Sequence, residues 1–134
     1  MIAVDSSALI AIGFEEPGAA GLVARLARSR VRQMSAANYG EAGAVLAGDR
    51  RTPSTVVIRE LDAVLGALDT DVVPFDAAQA RIALEARVRF GRGFGHPAKL
   101  NLGDSFAYAL AKTRAAPLLF VGDDFCHTDI EAAL

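Results

Sequence analysis

Short apolar runs alternate with segments of helical periodicity along this chain, and no other feature constrains the fold as tightly. Ile2-Ala3-Val4 is an apolar run closed by Asp5 and reads as a buried strand. Ser6 or Ser7 is placed to cap a helix through Leu9, Ile10 and Ile12. Pro17 opens a second helix whose apolar stripe is Leu22, Val23 and Leu26, with Arg25 and Arg28 outward. Val31 to Ser35 reads as another strand, and residues 37–48 as a helix with Val45 and Leu46 facing the core. Thr52 opens an amphipathic helix, because Val57, Leu61, Val64, Leu65 and Leu68 keep the helical period. Asp71 to Pro74 reads as a third strand, and Asp76 caps the helix behind it. Residues 91–99 (GRGFGHPAK) hold three glycines and a proline and form a loop. Leu102, Phe106, Ala109 and Leu110 mark the next helix, and Leu118 to Val121 the last buried strand. Thr128 with Glu131 fits a capping box that opens a short final helix. Strands alternating with helices predict an α/β fold around a mostly parallel sheet. No repeat or linker interrupts the pattern, so residues 1–134 are expected to form one domain.

Composition agrees with that expectation. Hydrophobic residues are 52% and charged residues 22% of the chain, which excludes disorder. A domain of this size buries about two-thirds of its unfolded surface and needs no covalent staple. The single cysteine, Cys126, points to a reducing, cytoplasmic compartment. The opening apolar run lacks a basic leader and is broken by Asp5, Glu15 and Glu16, so it reads as neither signal peptide nor membrane span. A net charge of −2 excludes a protein that coats nucleic acid through bulk charge, but is compatible with a nuclease whose cations and acids largely cancel.

In open parallel sheets, sites form at the carboxyl ends of the strands. Asp5 closes the first strand, Asp123 and Asp124 follow the last, and Asp104 lies in the first turn of the helix before it. Each has a purely structural alternative: Asp5 as a helix cap, Asp104 as a complement to its helix dipole, and Asp123 and Asp124 as turn residues. Glu41 is harder to explain that way. It lies in an otherwise uncharged segment, GEAGAVLAG, with no lysine or arginine between Arg32 and Arg50 to meet it. Carboxylates gathered at one sheet edge repel by about 4 kcal/mol per pair at 4 Å and intermediate dielectric, so a cation is expected among them. Mg²⁺ or Mn²⁺, hard ions that prefer oxygen, suit such a set and activate water against a phosphodiester.

The motifs VDSSAL at 4–9, SAANYGEA at 35–42, LNLGDSFAYALAK at 100–112 and LLFVGDDF at 118–125 together resemble a VapC-type PIN domain over essentially the whole chain. The resemblance implies a three-layer sandwich with a central parallel sheet, a divalent-metal site and endonucleolytic cutting of structured RNA. It also implies a homodimer and a small VapB-like antitoxin, with toxicity when the protein is made alone. Carried over by position, Asp5, Glu41 and Asp104 match three family acids, and Asp124 or its neighbour Asp123 the fourth. Ser7 matches a small hydroxyl residue that orients a carboxylate or a water. Many relatives place an acid three residues before the phenylalanine that ends this last motif, where this chain has Gly122. Adjacent residues in extended chain face opposite ways. The family pattern puts an acid immediately before Phe125, which favours Asp124, provided that Phe125 anchors the turn and Thr128 caps the last helix.

Other features carry less. Arg87, Arg89, Arg92, His96 and Lys99 make the most basic stretch and are either solvated surface or RNA contacts. His96, Cys126 and His127 lack zinc-site spacing, and GRGFG follows a helix rather than a strand, unlike a dinucleotide fingerprint. Tyr39, Phe106 and Tyr108 read as core or dimer surface. The helix at 52–68 is apolar enough to accept a partner segment. Alternatives are a PIN-fold nuclease of RNA processing or DNA repair, or a non-enzymatic acidic-site binding module. A phosphoacceptor module would want a second acid after the first strand and a lysine after the last, where this chain has Ser6 and none.

Overall fold

A computed structural model describes residues 1–134. Four strands form one wholly parallel sheet in the order β3-β2-β1-β4. They are β1 (Ile2–Val4), β2 (Arg32–Ser35), β3 (Asp71–Val73) and β4 (Leu118–Leu119). Between them run α1 (Ser6–Gly13), α2 (Ala19–Ala27), α3 (Ala36–Gly48), α4 (Val57–Ala67), α5 (Ala77–Phe90) and α6 (Leu102–Arg114).

The sheet separates two cores because strand side chains alternate sides. Ile2, Val4, Met34 and Leu119 pack with Leu9, Leu22, Leu26, Leu61 and Leu65 from α1, α2 and α4. Ala3 and Leu118 face the opposite layer, with Phe90, Leu100, Tyr108, Leu110 and Phe125. The result is the expected three-layer α/β sandwich.

Several local expectations are corrected. Asp5, rather than Ser6 or Ser7, caps α1, accepting from the Ser7 N–H, because the cap position is the last extended residue of β1. The fourth helix begins at Val57 after a 3₁₀ turn at Ser54–Val56 rather than at Thr52, since Pro53 disfavours helical backbone at the residue before it. Val23 and Val45 are exposed, Val45 at 51%. The buried lines are narrow, Leu22–Leu26 on α2 and Asn38–Ala42–Leu46 on α3. Arg25 turns back to donate to the Ala133 carbonyl rather than to solvent.

β4 stops at Leu119, two residues short of expectation. The Val121 N–H donates to Ser7 Oγ instead of to a strand, and Val121 is 47% exposed. Phe125 is buried and anchors the turn. The final helix does not form. Thr128 Oγ1 donates to the Phe125 carbonyl at 2.7 Å, and the tail instead pairs with β4: Leu118 N–H reaches Glu131 O and Ala133 N–H reaches Leu118 O, both at 2.9 Å. Pairing with the tail covers an edge whose polar backbone would otherwise be bare.

Leu110, fully buried on α6, should be intolerant of truncation. Leu110→Ala is expected to cost about 2–5 kcal/mol in urea unfolding, whereas Ile58→Ala at an exposed position should stay within about 0.5 kcal/mol. Equal midpoints for the two variants would contradict the two-sided core.

Candidate metal centre

Asp5 occupies the carboxyl end of β1, a strand flanked on both sides by neighbours, and is 3% exposed. Its Oδ2 accepts from both the Ser7 N–H and the Ser7 hydroxyl. Its Oδ1 is buried with no hydrogen-bond partner. Burial is the largest influence on this carboxyl and raises it from 3.8 to about 6, with Glu41's charge adding to the rise and the Ser7 bonds opposing it.

Asp104 is the third residue of α6 and 7% exposed. It forms a reciprocal capping box with Asn101: Asn101 N–H donates to Asp104 Oδ2, and Asp104 N–H to Asn101 Oδ1, each at 2.8 Å. Burial again dominates and raises the carboxyl from 3.8 to about 7. The Asn101 N–H opposes that rise, and the charges of Asp5, Asp124 and Glu41 increase it.

Glu41 reaches across from α3. Its Oε2 accepts from Ser6 Oγ at 2.8 Å and from Asn38 Nδ2 at 2.9 Å. The same Asn38 amide donates to the Gly103 carbonyl at 2.9 Å, tying α3 to the first turn of α6. A Cβ at Gly103 would collide with the Glu41 carboxylate, so that glycine leaves room for the carboxylate in its present position. Nothing along the sequence assigns Ser6, Asn38 or Gly103 to the site beside Glu41. The legible signal was Asn38, a buried amide three residues before Glu41 and therefore on the same helix face.

Gly122 turns the chain after β4 at φ +99°, a conformation that favours glycine. Asp123 and Asp124 both follow it on the surface. Asp124's charge adds to the rise at Asp104. Asp123 instead accepts the Cys126 N–H through its backbone carbonyl.

The structure thus brings Asp5, Glu41, Asp104 and Asp124 into one electrostatic neighbourhood. None of the four is ion-paired to a lysine or arginine. No three acidic, histidine or cysteine side chains lie at the spacing of a bound ion, and His96, Cys126 and His127 form no such group either. Like-charged acids in one neighbourhood repel unless protons or a cation offset their charge. The donor set fits a hard divalent ion: it is all oxygen, it has no competing cation, and it includes a bare buried carboxylate oxygen.

The basic stretch divides. Arg87 donates inward to the Leu100 carbonyl. Arg89 pairs with Asp129 at 3.5 Å and lies over the Phe90 ring. Arg92, His96 and Lys99 line a separate cavity. Of the aromatics, Tyr108 is core and donates to Asp129, Phe106 packs on Phe75, and Tyr39 donates to Asp62.

Comparison with known proteins gives the family and the fold. The PIN-domain family model matches residues 2–131. Ribonuclease VapC42 of Mycobacterium tuberculosis is 47% identical over 130 residues, covering 97% of each chain. The solved structure of M. tuberculosis VapC20, a sarcin–ricin loop cleaving toxin, superposes with a TM-score of 0.74 at 19% identity, covering 97% of this chain and 96% of that one. A toxin–antitoxin complex from Klebsiella pneumoniae gives 0.68 at 17%, covering 96% and 93%. These two structural likenesses bear on the fold.

Raised carboxyls favour the folded state where they hold protons. The contribution of Asp5 and Asp104 is complete below their unfolded value near 3.8 and is lost as pH rises through about 6 and 7. Asp49 and Asp129 are lowered, so their contributions are lost on acidification below that window. With divalent ions chelated, the urea midpoint should therefore decline as pH rises from about 5 to about 8, and Asp5→Asn should flatten the decline while keeping the fold. Identical pH profiles for wild type and Asp5→Asn would contradict the burial argument.

Proposed function

The chain belongs to the PIN-domain family, among its VapC-type members, and from that premise we propose that it is the endoribonuclease toxin of a toxin–antitoxin pair. On this reading it uses Mg²⁺, or Mn²⁺, to hydrolyse phosphodiester bonds in structured RNA such as transfer or ribosomal RNA. The observation that carries the proposal is the bare, buried Oδ1 of Asp5 within a set of acids that no basic side chain neutralises.

Asp5, Asp104, Glu41 and Asp124 would hold the ion, Asp5 and Asp104 directly and Glu41 mostly through water, since magnesium keeps several waters. When bound, the ion supplies a nucleophilic water at neutral pH and a counter-charge for the phosphodiester in transfer. The protein's own groups set orientation. Ser7 fixes Oδ2 of Asp5 and leaves Oδ1 free, the Asn101 N–H fixes Oδ2 of Asp104, and Ser6 and Asn38 restrain Glu41. Asp123 lies beside the fourth acid as a solvated neighbour that tunes the field.

Partner surfaces support the same reading. A cleft lined by Leu9, Ile10, Phe14, Leu46, Leu61 and Val64 suits an apolar segment of an antitoxin. Leu84, Val88, Phe94 and Leu102 expose apolar surface around Phe106, the face on which a second copy would pack as a homodimer. No helix is long and apolar enough to cross a membrane.

Purified protein incubated with total RNA should cut it with Mg²⁺ and not with EDTA, and Asp5→Asn should reduce cutting by at least about 100-fold, the scale of losing a group that acts on developing charge. Undiminished, EDTA-sensitive cleavage by Asp5→Asn would remove Asp5 from the site. Asp124→Asn should lose more metal-dependent cleavage than Asp123→Asn at equal stability. The reverse ranking would make Asp123 the fourth acid.

A further inference from the structure

An anionic catalytic cluster repels the polyanion it is meant to cut, so a nuclease with a net charge of −2 needs local cations to seat its strand. Between Glu85 and Asp104 stand four cationic residues and no acid. Two of them, Arg87 and Arg89, are committed to the protein's own carbonyl and carboxylate groups, as described above. Arg92 and Lys99 are exposed, and neither is involved in a side-chain hydrogen bond or an ion pair within the protein. With His96 they line an open cavity of about 720 Å³ that has no hydrophobic residue in its wall.

The loop is built to present these groups. The Phe90 carbonyl receives the Leu100 N–H at 2.9 Å and the Leu100 carbonyl receives the Arg92 N–H at 3.0 Å, closing the loop at its neck. His96 Nδ1 accepts the Ala98 N–H at 3.1 Å, so the ring's proton sits on Nε2 as a donor. The ring is held edge-on against buried Phe90, with centroids 5.0 Å apart. Lys99 has φ +54°, a left-handed conformation uncommon outside glycine. The other such non-glycine residues, Glu15, Asp69 and Ala115, all end helices, where that conformation is a normal cap. Lys99 alone adopts it inside a loop. Strained backbone of this kind persists where the surroundings over-determine it, commonly at binding sites.

The loop also delivers the chain to the metal centre. Asn101 lies two positions after Lys99, at most about 7 Å of backbone away, and Asn101 N–H is the group that holds Asp104. We propose that Arg92, His96 and Lys99 form a phosphate subsite that holds an RNA backbone phosphate flanking the scissile bond. This rests on the ribonuclease reading above. Arg92 and Lys99 supply charge, and His96 supplies a directed neutral N–H. All three are positioning residues.

The test uses the full chain in EDTA with a fluorescein-labelled single-stranded oligoribonucleotide, its Kd read by anisotropy across a KCl series. Arg92→Gln with Lys99→Gly should weaken binding at least about tenfold and lower the salt slope by about 0.7, the value for one lost phosphate contact on single strands. His96→Gln should weaken binding with the slope unchanged. Lys99→Gly alone relieves the left-handed strain, so it should bind less tightly while unfolding at an equal or higher temperature. With Mg²⁺ present, the double variant should raise KM and keep kcat within twofold, and Arg92→Lys should restore most affinity. An unchanged Kd and salt slope in the double variant, beside a wild type that binds and cleaves RNA, would overturn the subsite alone. A wild type that neither binds nor cleaves RNA would overturn the ribonuclease reading, and the subsite with it.

Discussion

Asp5 is kept charged-capable in a place where charge is costly, and much of the molecule is arranged around that position. β1 is an interior strand, so the residue that ends it is enclosed by neighbours on both sides. Burial pushes its carboxyl up to about 6, and Ser7 restrains that rise through one oxygen only. The other oxygen is left without a partner, a cost of about 1–3 kcal/mol for a buried acceptor. The packing of β1 between β2 and β4 therefore keeps a group that, considered alone, opposes folding.

Once Asp5 is in place, the other acids need fixed supports of their own. Each has a different one: a capping box for Asp104, a serine and a buried asparagine for Glu41, and a glycine turn for Asp124. Gly103 joins two of these, because its carbonyl accepts from Asn38 and its missing side chain leaves room for the Glu41 carboxylate. The supports are made of uncharged donors. A lysine or arginine would neutralise the acids more simply, and would also compete with any metal for the same oxygens. Two cations that make no bond within the protein, Arg92 and Lys99, stand apart from the acids in the 91–99 loop.

Where a pattern is local, the sequence was enough. The apolar runs at 2–4 and 118–119, the caps at Asp76 and the alternation of strands with helices depend on neighbours along the chain, and they appear where expected. The misreadings lie where distant groups intervene. Val121 leaves the sheet because Ser7, far away in sequence, takes its N–H. Thr128 and Glu131 carry a helix-opening pattern, but the tail instead pairs with the open edge of β4, where Leu118 bonds Glu131 and Ala133. Val23 and Val45 are apolar and in helical register, yet neighbouring helices bury only a narrow line on α2 and α3.

The sequence by itself determined the fold class and the absence of any cation near Glu41 along the chain, because residue type and periodicity are properties of the chain alone. Only the tertiary structure decided which oxygens are restrained and which are bare, that Ser6, Asn38 and Gly103 belong to the site, and that Arg87 and Arg89 are committed elsewhere while Arg92 and Lys99 are not. The reason is physical. Hydrogen bonds, burial and charge–charge effects depend on separations in space, and residues 36 and 65 positions apart in sequence, such as Asp5 with Glu41 and Asn38 with Gly103, acquire those separations only when the helices pack.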